Sequence, residues 1–205
     1  MEDLTSSAQT FRGDRIAAED LSDEQLLRLF ADGDAAAARV LTDRLGPRCF
    51  SVALRMLNNR AEAEDVTQEA MMRLWKIAPD WVPGQARIST WLYRVTLNLC
   101  IDQRRRKTAD ALDGIPEPQD DSAGAVEQMQ QRARLDALNG ALAQLPERQR
   151  QAVVLRHIEE LSNPEIAEIM RISVEAVESL VARGKRALTV ILSGRREELG
   201  YDDFR

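Results

Sequence analysis

Along most of this chain apolar residues return at spacings of three and four. Nowhere do they alternate strictly with polar ones, so helix rather than strand is predicted almost throughout. The first run is "SDEQLLRLFADG" (22–33), where Ser22 followed three residues later by Gln25 reads as a capping box. "AAAARVLTDRLGPRCFSVALRML" (35–57) and "AEAEDVTQEAMMRLWKI" (61–77) follow, and after the loop "APDWVPGQAR" (78–87) comes "ISTWLYRVTLNLCIDQRRRK" (88–107). A second series opens with "VEQMQQRARLDALNGALAQL" (126–145) and "PERQRQAVVLRHIEEL" (146–161) and closes with two short helices across 163–188. The pattern predicts four helices, an interruption and four more: an all-α protein of two small helical domains.

The interruption, "TADALDGIPEPQDDSAGAVE" (108–127), holds Gly114, Pro116, Pro118, Gly124 and six acids but few large apolar residues, which predicts an extended, flexible linker. The expected organisation is an acidic N-terminal extension (1–20), a first domain (21–107), the acidic linker (108–127), a second domain (128–196) and a tail (197–205). At ~3.3 Å per extended residue such a linker reaches about 65 Å.

Composition sharpens this picture. The 205 residues are 44% hydrophobic but only 4% aromatic, enough to build real cores from aliphatic side chains. The first twenty residues lack an apolar core or basic flank, and no later apolar run approaches membrane-spanning length, so a cytoplasmic protein with no membrane insertion is expected. Cys49 and Cys100 form no CxxC pair and the lone His157 has no neighbouring ligand set, so buried thiols are expected, with no metal site and no cofactor.

The formal charge of −6 argues against a polyanionic partner until it is located. Residues 1–34 carry nine acids against three arginines and 108–127 carries six acids with no base, so these two segments hold −12 and the remainder is positive. Between 87 and 107, Arg87, Arg94, Arg104, Arg105, Arg106 and Lys107 face only Asp102. Phosphate attraction is screened beyond roughly 8 to 10 Å and answers to such a local cluster rather than to the total.

"NPEIAEIMRISVEAVESLVARGKRAL" (163–188) has the form of a helix-turn-helix. Asn163 is expected to cap a first helix that Pro164 begins, with Ile166, Ile169 and Met170 facing a core. "RIS" makes the turn, Ser173 caps the second helix, and Val174, Val177 and Val181 form its buried stripe. Glu175, Glu178, Ser179, Ala182, Arg183 and Arg186 share the opposite face, small and polar at the start and cationic at the end. An ordinary helical hairpin with a solvated face has the same pattern.

"LPERQRQAVVLRHIEELSNPEIAEIMRISVEAVESLVARGKRAL" (145–188) resembles the promoter-reading region 4 of sigma-70-type initiation factors, specifically the extracytoplasmic-function group. The resemblance implies a minus-35 interface of Arg171, Ser173, Glu175, Ala176, Glu178, Ser179, Ala182, Arg183 and Arg186. Arg171 stands where the family usually has a turn glycine, and Glu175, Ala176 and Glu178 stand where Gly, Thr and Lys or Arg are common. Glu178 cannot hold a phosphate, although it could accept from a cytosine amino group.

Upstream, "AEAEDVTQEAMMRLWK" (61–76) resembles the region 2 helix that docks on the clamp coiled coil of RNA polymerase. Val66, Ala70 and Leu74 would face the core, with Asp65, Gln68, Glu69, Met72 and Lys76 outward, the first four implied as polymerase-binding. "STWLYRVTLNLCIDQRRRK" (89–107) resembles the promoter-melting helix. Trp91, Leu92, Val95, Leu99 and Cys100 would pack inward; Tyr93, Arg94, Thr96 and Asn98 would mark a pocket for a base flipped from the minus-10 element, closed by loop 80–89. Arg104, Arg105, Arg106 and Lys107 would hold phosphates. The implied partners are core RNA polymerase, promoter DNA and an anti-sigma factor. A sigma-like decoy that binds an anti-sigma factor, or a simple helix-turn-helix repressor, are the rival readings; an enzyme is disfavoured, because no phosphate loop, nucleophile with base or metal cluster appears.

Overall fold

The computed structural model describes the backbone of residues 20–110 and 126–193, with side chains over 20–107 and 134–193. Most of the predicted linker, both termini and the charges they carry lie outside the described residues. Within them the chain is all-α: α1 (Asp23–Ala31), α2 (Ala35–Leu57), α3 (Arg60–Ile77), a 3-10 turn (Ala78–Asp80), α4 (Ile88–Asp110), α5 (Val126–Ala143), α6 (Glu147–His157), α7 (Asn163–Met170) and α8 (Val174–Ser193). At the ends of the predicted linker the helices run further than expected, α4 to Asp110 and α5 from Val126.

The helix boundaries follow from local chemistry. Ser22 and Gln25 form the reciprocal capping box at the start of α1. Asp34 caps α2 by accepting from the Ala36 and Ala37 amides. Between α2 and α3 the reversal takes two asparagines. Asn58 ends α2 in the left-handed region at φ 53°, which asparagine tolerates better than most side chains, and Asn59 caps α3 by accepting from the Glu62 amide.

α1 to α4 enclose one core, built from Leu26 and Leu27, Leu41, Leu45 and Cys49, Ala70, Met71 and Leu74, then Ile88 and Leu92. Each fully buried leucine contributes roughly 1.5 to 3 kcal/mol over its exposed state. A second buried cluster does not stop at the second half. Leu142, Leu145, Val153 to Leu155, Ile166, Ile169 and Val177 are continuous with Val52 and Met56 of α2, Val66 of α3, and Tyr93, Leu97 and Cys100 of α4. The two halves therefore share a core: α4 packs against α7, and α2 against α5 and α6.

Arg150 ties this junction together. Only 2% exposed, it donates to the Met56 carbonyl at the end of α2 (2.8 Å) and to the Ala143 and Leu145 carbonyls beyond α5. Burial, and then Arg104, push its guanidinium down to about 10, so it stays charged at neutral pH, its two terminal nitrogens donating to three carbonyls.

Candidate nucleic-acid and polymerase interface

The helix-turn-helix forms, with one correction at its start. Ser162, not Asn163, is the N-cap of α7, because Glu165 three residues on completes a capping box: the Glu165 carboxylate accepts from the Ser162 amide at 2.9 Å, while the Ser162 hydroxyl accepts from the Glu165 amide. Asn163 and Pro164 occupy the first two helical positions, where the missing proline N–H leaves nothing unpaired. The Ser162 hydroxyl, donating to the same carboxylate at 2.7 Å, then the Ser162 amide, with Arg87 beyond them, hold the Glu165 carboxyl below its usual range. α7 ends at Arg171, whose φ of 53° and ψ of 51° put an arginine in the left-handed conformation that glycine would adopt without strain.

Ser173 then accepts from the Ala176 amide at 3.2 Å and starts α8. Val177 is fully buried, Val174 and Val181 half-buried, and Glu175, Glu178, Ser179, Ala182, Arg183 and Arg186 all exposed, with Ala176 half-buried beside them. The buried stripe contains a residue the apolar pattern could not reveal. Gly184 lies so close to α6 that a Cβ there would sit 2.5 Å from Val153 Cγ2 and 3.3 Å from the Gln149 carbonyl. The absent side chain lets the two helices approach.

On α3, Val66, Ala70 and Leu74 are buried as expected. Asp65, Gln68, Met72 and Lys76 are exposed, while Glu69 is half-buried and paired with Arg73 at 2.7 Å. Beside this face runs a groove of about 350 Å³ between α2 and α3, lined by Gly46, Phe50, Met71, Met72 and Trp75 with Gln68 at its edge. Met72 is 50% exposed, a large apolar side chain that single-helix periodicity had assigned only as outward.

α4 departs most from expectation. Leu92 and Cys100 are buried and Trp91, Val95 and Leu99 half-buried as expected, but Tyr93, Thr96 and Leu97 are buried as well. The Thr96 hydroxyl donates back to the Leu92 carbonyl at 2.9 Å. The Tyr93 hydroxyl donates to the Glu159 carboxylate at 2.8 Å; burial first, then the Glu159 charge, raise its pKa above the ordinary phenol value. Arg94 donates to the Glu168 carbonyl (2.8 Å) and the Ile169 carbonyl (3.3 Å) in the last turn of α7. Asn98 is exposed at the mouth of a cleft of about 320 Å³ that Arg94, Arg148, Gln151 and Arg171 also line. Thus Arg94 and Asn98 meet a common cavity, whereas Tyr93 and Thr96 do not line it.

Arg105, Arg106 and Lys107 are exposed at the end of α4, Arg104 is half-buried, and Lys107 pairs with Glu62. In the loop before α4, Trp81 meets Trp91 edge-on at 6.1 Å and Val82 is exposed. Cys49 and Cys100 are both free and buried, which pushes each thiol up to about 12. His157 is exposed at the end of α6; burial, Lys185 and Arg156 lower its pKa. Among the described residues no group of three His, Cys, Asp or Glu side chains could hold a metal ion, and no helix is long and apolar enough to cross a membrane. Glu159 escaped sequence reasoning: a loop acid before a left-handed Glu160 carries no periodic signal.

An exposed helix-turn-helix joined to a helical module with an acidic, methionine-bearing outer face is the architecture of a helical DNA-binding protein. The Sigma-70 region 2 model matches residues 41–109 and the Sigma-70, region 4 model residues 135–188. The chain is 34% identical over 175 residues to the ECF RNA polymerase sigma factor SigE of Mycolicibacterium smegmatis, covering 82% of this chain and 67% of that one. It is 33% identical over 167 residues to the ECF RNA polymerase sigma factor SigW of Bacillus subtilis, covering 76% and 89%. The solved structure of CnrH in complex with the cytosolic domain of CnrY superposes with a TM-score of 0.66 at 25% identity, over 84% of this chain and 97% of that one. This chain belongs to the extracytoplasmic-function group of the sigma-70 family, the RNA polymerase sigma factors.

Proposed function

We propose that the chain directs core RNA polymerase to a two-part promoter, with each contact assigned to named residues. The exposed face of α8, from Ser173 through Arg186 with Arg171 at its turn, reads the minus-35 element. Tyr93, Arg94, Thr96 and Asn98 with the Arg104 to Lys107 run hold and open the minus-10 element. Asp65, Gln68, Glu69 and Met72 of α3 dock on polymerase. The observation that carries the reading is the coexistence, in one chain, of an open cation-tipped reading helix and an acidic face beside the apolar groove of α3. The action is binding and positioning in the cytoplasm, without catalysis by the chain itself.

Domain limits of 21–107 and 128–196, joined by an acidic linker, are part of the same proposal. So is control by an anti-sigma factor, which the family resemblance implies and which accords with CnrH having been solved with a protein partner.

In-vitro transcription with core polymerase on genomic DNA tests the reading. Start sites that depend on the protein are expected, and their absence would restore the decoy or repressor. Replacing the exposed Arg105 and Arg106 by alanine should lower the salt slope of the promoter complex by about two units, one for each lost phosphate contact. An unchanged slope would remove the basic run from the interface.

A further inference from the structure

The cleft of about 320 Å³ beside α4 brings together residues that the promoter assignments keep apart. Arg94 and Asn98 come from the minus-10 set and Arg171 from the minus-35 set, while Arg148 and Gln151 of α6 belong to neither. The charge on its wall is one-sided, three arginines against Glu147. That carboxylate also faces Arg150, whose charged form it favours.

The polar groups here are unusually free. Among the described residues the guanidiniums of Arg148 and Arg171, both exposed, have no hydrogen-bond or ion-pair partner. Arg94 is anchored instead: its Nε and Nη2 donate to the Ile169 and Glu168 carbonyls, which fixes the guanidinium and leaves Nη1 without a partner among the described residues. Gln151 is only 7% exposed, and its amide likewise has no partner among the described residues although it lines the cavity. A buried amide is costly to leave unpaired, so a polar group entering the cleft meets a donor and an acceptor already desolvated.

The rest of the wall is apolar. Leu97 and Ile169 are buried and Ile101 and Met170 half-buried around the cavity. An inorganic anion would engage the arginines and leave this wall unused, and an apolar molecule would leave the arginines and amides unpaired. A nucleotide engages both. Its base can lie on the aliphatic wall and the Met170 thioether, which makes favourable contact with aromatic rings, while the Asn98 and Gln151 amides meet the base edge. Its phosphates suit the planar guanidinium forks. Three guanidiniums against one carboxylate call for more than the single charge of a strand phosphodiester, which favours a free nucleotide over one within a strand. The volume stands at the lower end of the roughly 300 to 1,000 Å³ of small-molecule sites.

We propose that the cleft between α4, α6 and the turn after α7 binds a nucleoside diphosphate or triphosphate, with its phosphates on Arg148, Arg171 and Arg94 and its base on Met170 and the Gln151 amide. Arg148 and Gln151 are the residues to test, because neither is assigned to promoter DNA or to polymerase. Isothermal titration of the full chain at low salt with ADP and GDP, beside pyrophosphate, adenosine and an adenine dinucleotide strand, reads the site directly. Both diphosphates should bind at one site per chain, with the other three at least about tenfold weaker. Arg148→Ala should weaken ADP about tenfold and Arg148→Glu about a hundredfold, through loss of charge-assisted hydrogen bonds and then repulsion. Gln151→Leu should weaken ADP about fivefold and leave pyrophosphate unchanged, a split that a general loss of positive charge would not produce.

Absence of saturation by ADP and GDP up to about 1 mM overturns the site. Pyrophosphate bound as tightly as ADP overturns the role of the apolar wall and the Gln151 amide. The dinucleotide bound more tightly than ADP makes the cleft a strand site and overturns the free-nucleotide reading. Unchanged ADP affinity in both Arg148 variants moves the binding elsewhere on the chain. Arg148 is exposed, so those two variants keep the test decisive if Gln151→Leu folds poorly.

Discussion

Helices α4 and α8 carry comparable signatures, an apolar stripe on one side and polar, arginine-bearing positions on the other, yet they end in opposite environments. On α8 nearly every residue assigned to DNA is exposed; on α4 Tyr93 and Thr96 are buried and Arg94 is engaged. The difference does not come from the helices themselves. For Tyr93 and Arg94 it comes from what meets them, the Glu159 loop and α7, and for Thr96 from Cys49 of α2, whereas α8 turns its polar face away from the shared core. A helical pattern therefore identifies a functional face but not whether that face is available.

The largest effect is expected where α8 is seated. Gly184→Val would drive two methyl groups into a space where even a Cβ meets Val153 at 2.5 Å and the Gln149 carbonyl at 3.3 Å. Val153 is buried and β-branched, so it cannot swing aside cheaply. A loss of roughly 2 to 3 kcal/mol is expected from overpacking of this kind, read from urea unfolding. Stability within a few tenths of wild type would mean that α8 is not held against α6 as described.

The element order was legible because it rests on periodicity and capping. Ser22 with Gln25 and Ser173 acted as read, and both cysteines were buried. The cap of α7 moved from Asn163 to Ser162 because Glu165 rewards the serine with a second, reciprocal bond that the asparagine reading ignored. Tyr93 and Leu97 could not be placed from α4 alone, since they are buried in a cluster drawn from α2, α3 and the second half, and the Tyr93 to Glu159 bond spans 66 residues. Gly184 was hidden for another reason, because hydrophobic patterning has no symbol for a side chain whose absence is what packs.

A smaller effect of opposite sign belongs to the turn before α8. Arg171 holds a left-handed conformation, and Arg171→Gly should relieve about 1 kcal/mol of that strain. The same change removes a guanidinium assigned to the minus-35 interface. Thermal unfolding should therefore move up while promoter affinity moves down, and a variant that gains both would take Arg171 out of the interface.

For α4 the corresponding test is Tyr93→Phe, expected to cost about 1 kcal/mol by removing the bond to Glu159. Because burial and the Glu159 charge raise the Tyr93 pKa in the folded chain, its contribution is complete below about pH 10, the ordinary value, and is lost as the pH rises through the folded one. Wild-type stability should fall more steeply than that of Tyr93→Phe above pH 10. Parallel curves would mean that the phenol is not held protonated by its surroundings.

The smallest effect sits at the start of α8 and has the reverse dependence. Glu175 is held below the usual carboxylate range by its own backbone N–H and then by the Ser173 hydroxyl, both at the positive end of the helix. Its stabilisation is present above about pH 4.5 and fades as the pH falls through the folded value. The residue is fully exposed, so Glu175→Gln should differ from wild type only slightly in unfolding midpoint at neutral pH and not at all on the acid side of that transition. On DNA the same substitution should act the other way, removing an anion from a face meant to approach phosphates. Duplex affinity at low salt is expected to rise, and the gain to shrink as salt screens it. If affinity falls instead, Glu175 accepts a hydrogen bond from a base edge, and the open helix reads sequence with an acid.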